Sequence, residues 1–130
     1  MINKTDTKMR LAIVGTREPK ISYEEWKEII LSKWWLKHAD TIVSGGARGI
    51  DTYGKKLATE LNLKCKEFKP AYKKDGRGAP LKRNTLIIEN SDFVAAFPQA
   101  GYQNGEVSRG TVDSIRKAKK LNKRLYIIEI

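Results

Sequence analysis

Short apolar runs alternate with amphipathic segments along this chain, and that alternation sets its expected elements. Met9 to Gly15 (MRLAIVG) is an apolar run closed by glycine, which predicts a buried strand and then a turn. Ser22 is an N-cap, and Glu24 and Glu25 suit the first turn of a helix running to about Lys37. On that helix Tyr23, Trp26, Ile29, Ile30 and Trp34 share one face, while Leu31 and Trp35 fall on the other. Thr41 to Ser44 predicts a second strand. A helix follows from about Ile50 to Leu61, with Ile50, Tyr53, Leu57 and Leu61 as its buried stripe. Lys64 to Phe68 predicts a third strand, Pro70 to Ala79 a basic loop, and Pro80 the first turn of a helix reaching about Asn90. Asp92 to Phe97 predicts a fourth strand and Pro98 to Gly105 a glycine-bearing loop. A helix opens near Ser108 to Thr111, and Arg124 to Ile130 closes the chain as a strand.

Strand and helix in alternation predict an α/β fold: a five-stranded parallel sheet with helices on both faces. Its 130 residues suit a single domain over 1–130. No apolar run is long enough to span a bilayer, and Met1 to Asp6 lacks the apolar core of a secretory leader. The one cysteine, Cys65, reads as a half-buried strand residue in a reducing compartment, and a cytoplasmic location is expected.

Charge narrows the class of ligand. The 26 basic and 15 acidic residues give a formal charge of +11, which concentrates polyanions and phosphorylated ligands around the protein. It does not choose between a nucleotide and a nucleic acid. The run Arg116, Lys117, Lys119, Lys120, Lys123 and Arg124 contains no acid and suits either a solvated helix face or a nucleic-acid backbone.

In an open α/β sheet ligands bind beyond the carboxyl ends of the strands, and the residues with chemical potential cluster there. Gly15-Thr16-Arg17 follows the first strand, combining close backbone approach, a hydroxyl and a forked cation that suits phosphate. Ser44-Gly45-Gly46-Ala47-Arg48-Gly49-Ile50-Asp51 follows the second, where small residues expose amides and the next helix points its positive end. Ser108-Arg109-Gly110-Thr111 repeats the arrangement at a later helix start. Neither G-x-x-x-x-G-K-[ST] nor G-x-G-x-x-G occurs, which argues against a P-loop hydrolase and an ordinary dinucleotide oxidoreductase. No His and Cys stand at metal-ligand spacing, so no metal site is expected; His38 is the only histidine.

GTREP after the first strand, SGGARGID after the second, RN in the third helix and SRGT before the fourth resemble the SLOG superfamily. That superfamily gathers the DNA-processing DprA (Smf) proteins and the LOG proteins, and the likeness is strongest to its small stand-alone, YspA-like members. The likeness runs from about Arg10 to Ile130, and SGGARGID is its most specific part. It implies a Rossmann-like sheet in strand order 3-2-1-4-5 with a pocket between the first and fourth strands. By carry-over, Gly15, Thr16, Arg17, Ser44, Gly45, Gly46 and Ala47 line a ligand, and Asp51 braces the turn or meets a ribose. Arg83 and Asn84 project toward the pocket, and Ser108, Gly110 and Thr111 hold a phosphate. One departure matters. LOG phosphoribohydrolases carry P-G-G-x-G-T-x-x-E, whereas here Ser114 stands where the glutamate would be and Asp113 lies one step off.

The leading expectation is therefore a domain that binds a nucleotide or nucleotide-derived phosphorylated ligand, as sensor or processing domain. The alternative is a DprA-like single-stranded nucleic-acid binder, and the third reading is a nucleotide N-glycosidase. No cofactor is specified beyond that nucleotide-derived ligand. Nucleic acid is the other candidate partner, a membrane is not expected, and the resemblance implies a homodimer through helix faces.

Overall fold

The apolar runs build the centre of the molecule. In the computed structural model, which describes residues 9–130, they form strands β1 (Met9–Gly15), β2 (Ala39–Ser44), β3 (Lys64–Glu67), β4 (Phe93–Phe97) and β5 (Arg124–Ile127). These pair in parallel as one sheet in the order β3-β2-β1-β4-β5, the order that the resemblance implied. The stretch Met1 to Asp6, read above for a leader, lies outside the described residues.

Alternate residues of a strand point to opposite faces, so the inner strands feed two cores. Leu11 and Ile13 enter one with Trp26, Ile30, Ile50 and Leu57; Ala12 and Val14 enter the other with Ile87, Ile88 and Ile115. Helices α1 (Tyr23–Leu31) and α2 (Ile50–Glu60) cover the first face. After a short α3 (Tyr72–Asp75), helices α4 (Ala79–Glu89) and α5 (Arg109–Lys120) cover the second. A sheet covered on both sides requires central strands that are apolar throughout, as all five residues of β4 are.

Ser22 caps α1 as expected. Its Oγ accepts the Glu25 N–H at 3.1 Å while Glu25 Oε1 accepts the Ser22 N–H at 2.9 Å, a reciprocal box whose cap is worth about 1 kcal/mol. The helix stops at Leu31 instead of reaching Lys37. Ser32 Oγ donates to the Ile29 carbonyl at 2.6 Å, and a 3-10 turn (Trp34–His38) follows. The break resets the helical phase and exchanges the two tryptophans: Trp35 is 3% exposed and Trp34 61%. Trp35 stacks on Tyr126 at 4.6 Å between ring centres, which holds the turn against the sheet.

Other boundaries shift for tertiary reasons. The buried stripe of α2 is Ile50, Gly54, Leu57 and Ala58, with Tyr53 half-buried and Leu61 exposed, because Gly54 lets the helix sit directly on Ile13. Cys65 is exposed and not half-buried, since β3 is an edge strand. Part of the expected Pro70 to Ala79 loop is wound into α3 and a following 3-10 turn (Gly76–Gly78). Beyond β5, Ile128 N–H still donates to Ala96 O at 2.9 Å and Ile130 N–H to Pro98 O at 3.0 Å. Among the described residues no helix is long and apolar enough to cross a membrane.

Candidate functional site

In the strand order above, winding reverses between β1 and β4, so the segments leaving their carboxyl ends diverge and leave a crevice. A cavity of about 500 Å³ occupies it. Gly15, Thr16 and Arg17 form one wall, Ala47 and Asp51 the next, Arg83 and Asn84 of α4 the third, and Ser108, Gly110 and Thr111 the last. Ser44, Gly45 and Gly46 stand outside the wall and shape it from behind.

The first and second turns are locked to each other. Thr16 N–H donates to Phe97 O at 3.0 Å, its Oγ1 accepts the Glu18 N–H at 3.1 Å, and its carbonyl accepts the Ile50 N–H at 3.1 Å. A Cβ on Gly15 would lie 2.7 Å from the Ile50 side chain. Gly49 has φ +81°, and a Cβ there would meet the Thr16 carbonyl at 2.5 Å, so both conformation and space demand glycine. Asp51 Oδ2 accepts the Ala47 N–H at 3.1 Å, and the buried Ser44 Oγ accepts from Gly46 N–H and donates to Asp51 O, both at 3.4 Å. Much of SGGARGID therefore packs and braces its own turn, and the first donor of α2, the Ile50 N–H, is taken up by the Thr16 carbonyl.

The start of α5 is different. Ser108 adopts a left-handed conformation (φ 56°) and its Oγ accepts the Gln99 N–H at 3.0 Å, so it gives its own helix no side-chain cap. Among the described residues, nothing beyond its own helix backbone and chain neighbours lies within 4 Å of where a Gly110 Cβ would be. The first turn of α5 thus keeps uncapped N–H groups at the cavity wall, the arrangement that receives anions.

Side-chain charge converges on the same space. Arg17 is exposed and makes no ion pair among the described residues. Arg83 is buried, its Nη1 donating to Gly45 O at 2.8 Å and its Nε to Asn84 Oδ1 at 3.1 Å. Burial lowers the Arg83 pKa, and Asp51 opposes that shift. Burial likewise pushes the Asp51 carboxyl up to about 6, against the Ala47 N–H and the charges of Arg83 and Arg17. Asn84 Nδ2 donates to Asp113 Oδ2 at 3.1 Å, tying α4 to α5. Arg48 and Arg109 stand at the rim with Glu18 and Glu106; Arg48 pairs loosely with Glu18 at 3.8 Å.

Sequence reasoning missed Gln99 and Ser114 as wall residues. Gln99 had a readable signal, since it follows β4 at the same strand edge. Ser114 had none beyond its alignment with the LOG glutamate. Asp113 does not line the cavity: it accepts from Lys117 Nζ at 2.8 Å and from Asn84. Of the basic run, Lys117 also donates to Leu81 O at 2.6 Å and Lys123 to Ser91 O at 2.8 Å, so one cation braces α4 and another the segment joining α4 to β4.

The sequence model of DNA recombination-mediator protein A matches residues 2–66, half of the chain. The chain belongs to this family. Its fold is similar to that of DNA processing protein A from Helicobacter pylori, whose structure is described for its single-stranded DNA binding mode. That match has a TM-score of 0.67 and 24% sequence identity, and covers 96% of this chain and 68% of that one. No curated protein matches in sequence.

Proposed function

We propose that this member of the DNA recombination-mediator protein A family binds single-stranded nucleic acid, seating one nucleotide in the cavity between β1 and β4. The observation that carries the reading is the unpaired Arg17 at a cavity whose far wall is the uncapped start of α5. A forked cation and free amides around one space suit a phosphodiester oxygen. Family membership and the single-stranded DNA binding of the similar H. pylori protein support the same ligand. The net charge of +11 supplies the long-range attraction.

A free nucleotide-derived ligand is the second reading. Its support is the cavity volume of about 500 Å³, which falls in the range of small-molecule sites, and the two rim carboxylates, Glu18 and Glu106, which disfavour a long polyanion. The N-glycosidase reading gains no support, because Ser114 stands at the glutamate position and Asp113 is occupied with Lys117 and Asn84.

Competition separates the two readings. Fluorescence anisotropy of a labelled oligodeoxythymidine is measured with unlabelled oligomer, thymidine monophosphate and a duplex as competitors. The strand reading expects the oligomer to compete best, the duplex poorly and the monophosphate only at far higher concentration. Competition by the monophosphate at oligomer-like concentration would shift the assignment to the free ligand.

A further inference from the structure

We infer that the opposite edge of the sheet carries a second contact for single-stranded nucleic acid, in which a base stacks on Trp34 and Lys33 and Lys37 meet the neighbouring phosphates. This goes beyond the cavity reading and does not depend on it.

The 3-10 turn bearing Trp34 leads into the start of β2, so it lies at the amino ends of the strands, away from the cavity. Trp26 and Trp35 are buried, yet Trp34 is 61% exposed. It is nevertheless braced, with His38 and Tyr126 nearly perpendicular to it at 5.9 and 6.4 Å. A groove of about 440 Å³ beside it has an apolar lining from Leu31, Leu36, Leu61 and Leu63, of which Leu31 is 48% exposed.

Among the described residues, Lys33 and Lys37 are the only ionisable ones lining that groove, and neither is in an ion pair there. Lys64, next to Leu63, and Arg124, at the start of β5, add two cations at this edge that are in no ion pair among the described residues. Of the acids on the elements that begin or end here, Asp92 is paired with Arg10 at 3.2 Å and Glu60 with Lys27 at 2.7 Å, which leaves Glu28, Asp40 and Glu89, none of them in the groove lining. The patch is thus aromatic, apolar and positive. A second copy of a chain with charge +11 would meet like charge at this face. A single strand supplies what the patch lacks: flat bases to cover the open indole and phosphates for the ammonium groups. Stacking of that kind tolerates any base.

The test uses the full chain, an oligodeoxythymidine of roughly 20 nucleotides, and the Arg17→Ala background, so that cavity and edge are read separately. Since the other two tryptophans are buried, oligomer binding should quench emission from Trp34 in both the native and Arg17→Ala proteins. Trp34→Ala in the Arg17→Ala background should weaken oligomer binding about five- to hundredfold, with Trp34→Phe retaining most of the affinity. Because Trp34 is exposed, thermal unfolding should stay close to that of the parent. Lys33→Gln with Lys37→Gln should lower the salt slope by about 1.4, two single-strand phosphate contacts. Unchanged affinity in Trp34→Ala would overturn the inference, as would loss of all quenching in Arg17→Ala alone. So would binding of an acidic leucine-rich helical peptide to the groove in place of the oligomer, or a dimer that Trp34→Ala dissociates without changing oligomer affinity. If Arg17→Ala binds like the native protein while the Trp34 variants behave as expected, the cavity reading fails and this one stands.

Discussion

Arg83 reaches back 38 residues to place its Nη1 2.8 Å from the Gly45 carbonyl, and a Cβ on Gly45 would lie 2.6 Å from that same nitrogen. The second glycine-bearing turn and α4 therefore share one buried hydrogen bond, made where an added Cβ would push the guanidinium aside. Gly45→Ala should displace the guanidinium and cost about 1–3 kcal/mol. Arg83→Ala should cost at least as much, because it leaves a buried carbonyl without its donor. Urea denaturation of both variants checks this; a loss below about 0.5 kcal/mol in each would show that the contact contributes little.

The raised pKa of Asp51 makes a signed prediction. Its carboxyl titrates near 6 in the folded protein against 3.8 ordinarily, so between those values the native state binds the extra proton. Stability from this group is highest below the lower value, falls as pH rises toward about 6, and is flat above it, by an amount on the order of 3 kcal/mol. Asp51→Asn should therefore raise the melting temperature at about pH 7.5 and flatten its dependence on pH.

The same carboxylate faces a ligand space built for anions. Oligomer affinity should increase as pH falls through about 6, since phosphodiesters do not titrate there and Asp51 loses its charge. Asp51→Asn should bind more tightly near neutral pH and show little change across this window. His38 is present in both proteins, so the difference between their pH profiles isolates Asp51.

Arg17 makes no ion pair among the described residues, and its loss should leave folding nearly unchanged. Arg17→Ala should weaken oligomer binding by about 1.5–3 kcal/mol, the range for hydrogen bonds to charged groups. The slope of log affinity against log salt should drop by about 0.7. Anisotropy at several salt concentrations measures both quantities; an unchanged slope would remove phosphate contact from this residue.

The basic run at the end of α5 divides by role. Lys117→Gln and Lys123→Gln should each cost about 0.5–2 kcal/mol of stability, because each gives up a charged hydrogen bond to a backbone carbonyl. Lys119→Gln and Lys120→Gln should cost almost none, both being exposed and in no ion pair among the described residues. Equal losses across all four, measured by thermal denaturation, would refute the division.

Local pattern alone determined the strand-helix alternation, the full extent of β1, the Ser22 cap and the cluster of glycine-bearing turns. Each of those depends on periodicity or chemistry within a few residues. The family, too, was legible in short motifs, above all SGGARGID. Which of those turns keeps free donors was decided only by tertiary structure. Both helix starts look alike in sequence and neither has a side-chain cap, but the Thr16 carbonyl takes the Ile50 N–H of α2, while Ser108 turns away to Gln99 and leaves the start of α5 open. The exchange of Trp34 and Trp35 has the same origin, since their phase follows a break at Ser32 and a stacking partner, Tyr126, far along the chain. Hydrophobic period specifies which face of an element is buried, whereas the partners that consume a donor or a cation are set by elements distant in sequence and adjacent in space.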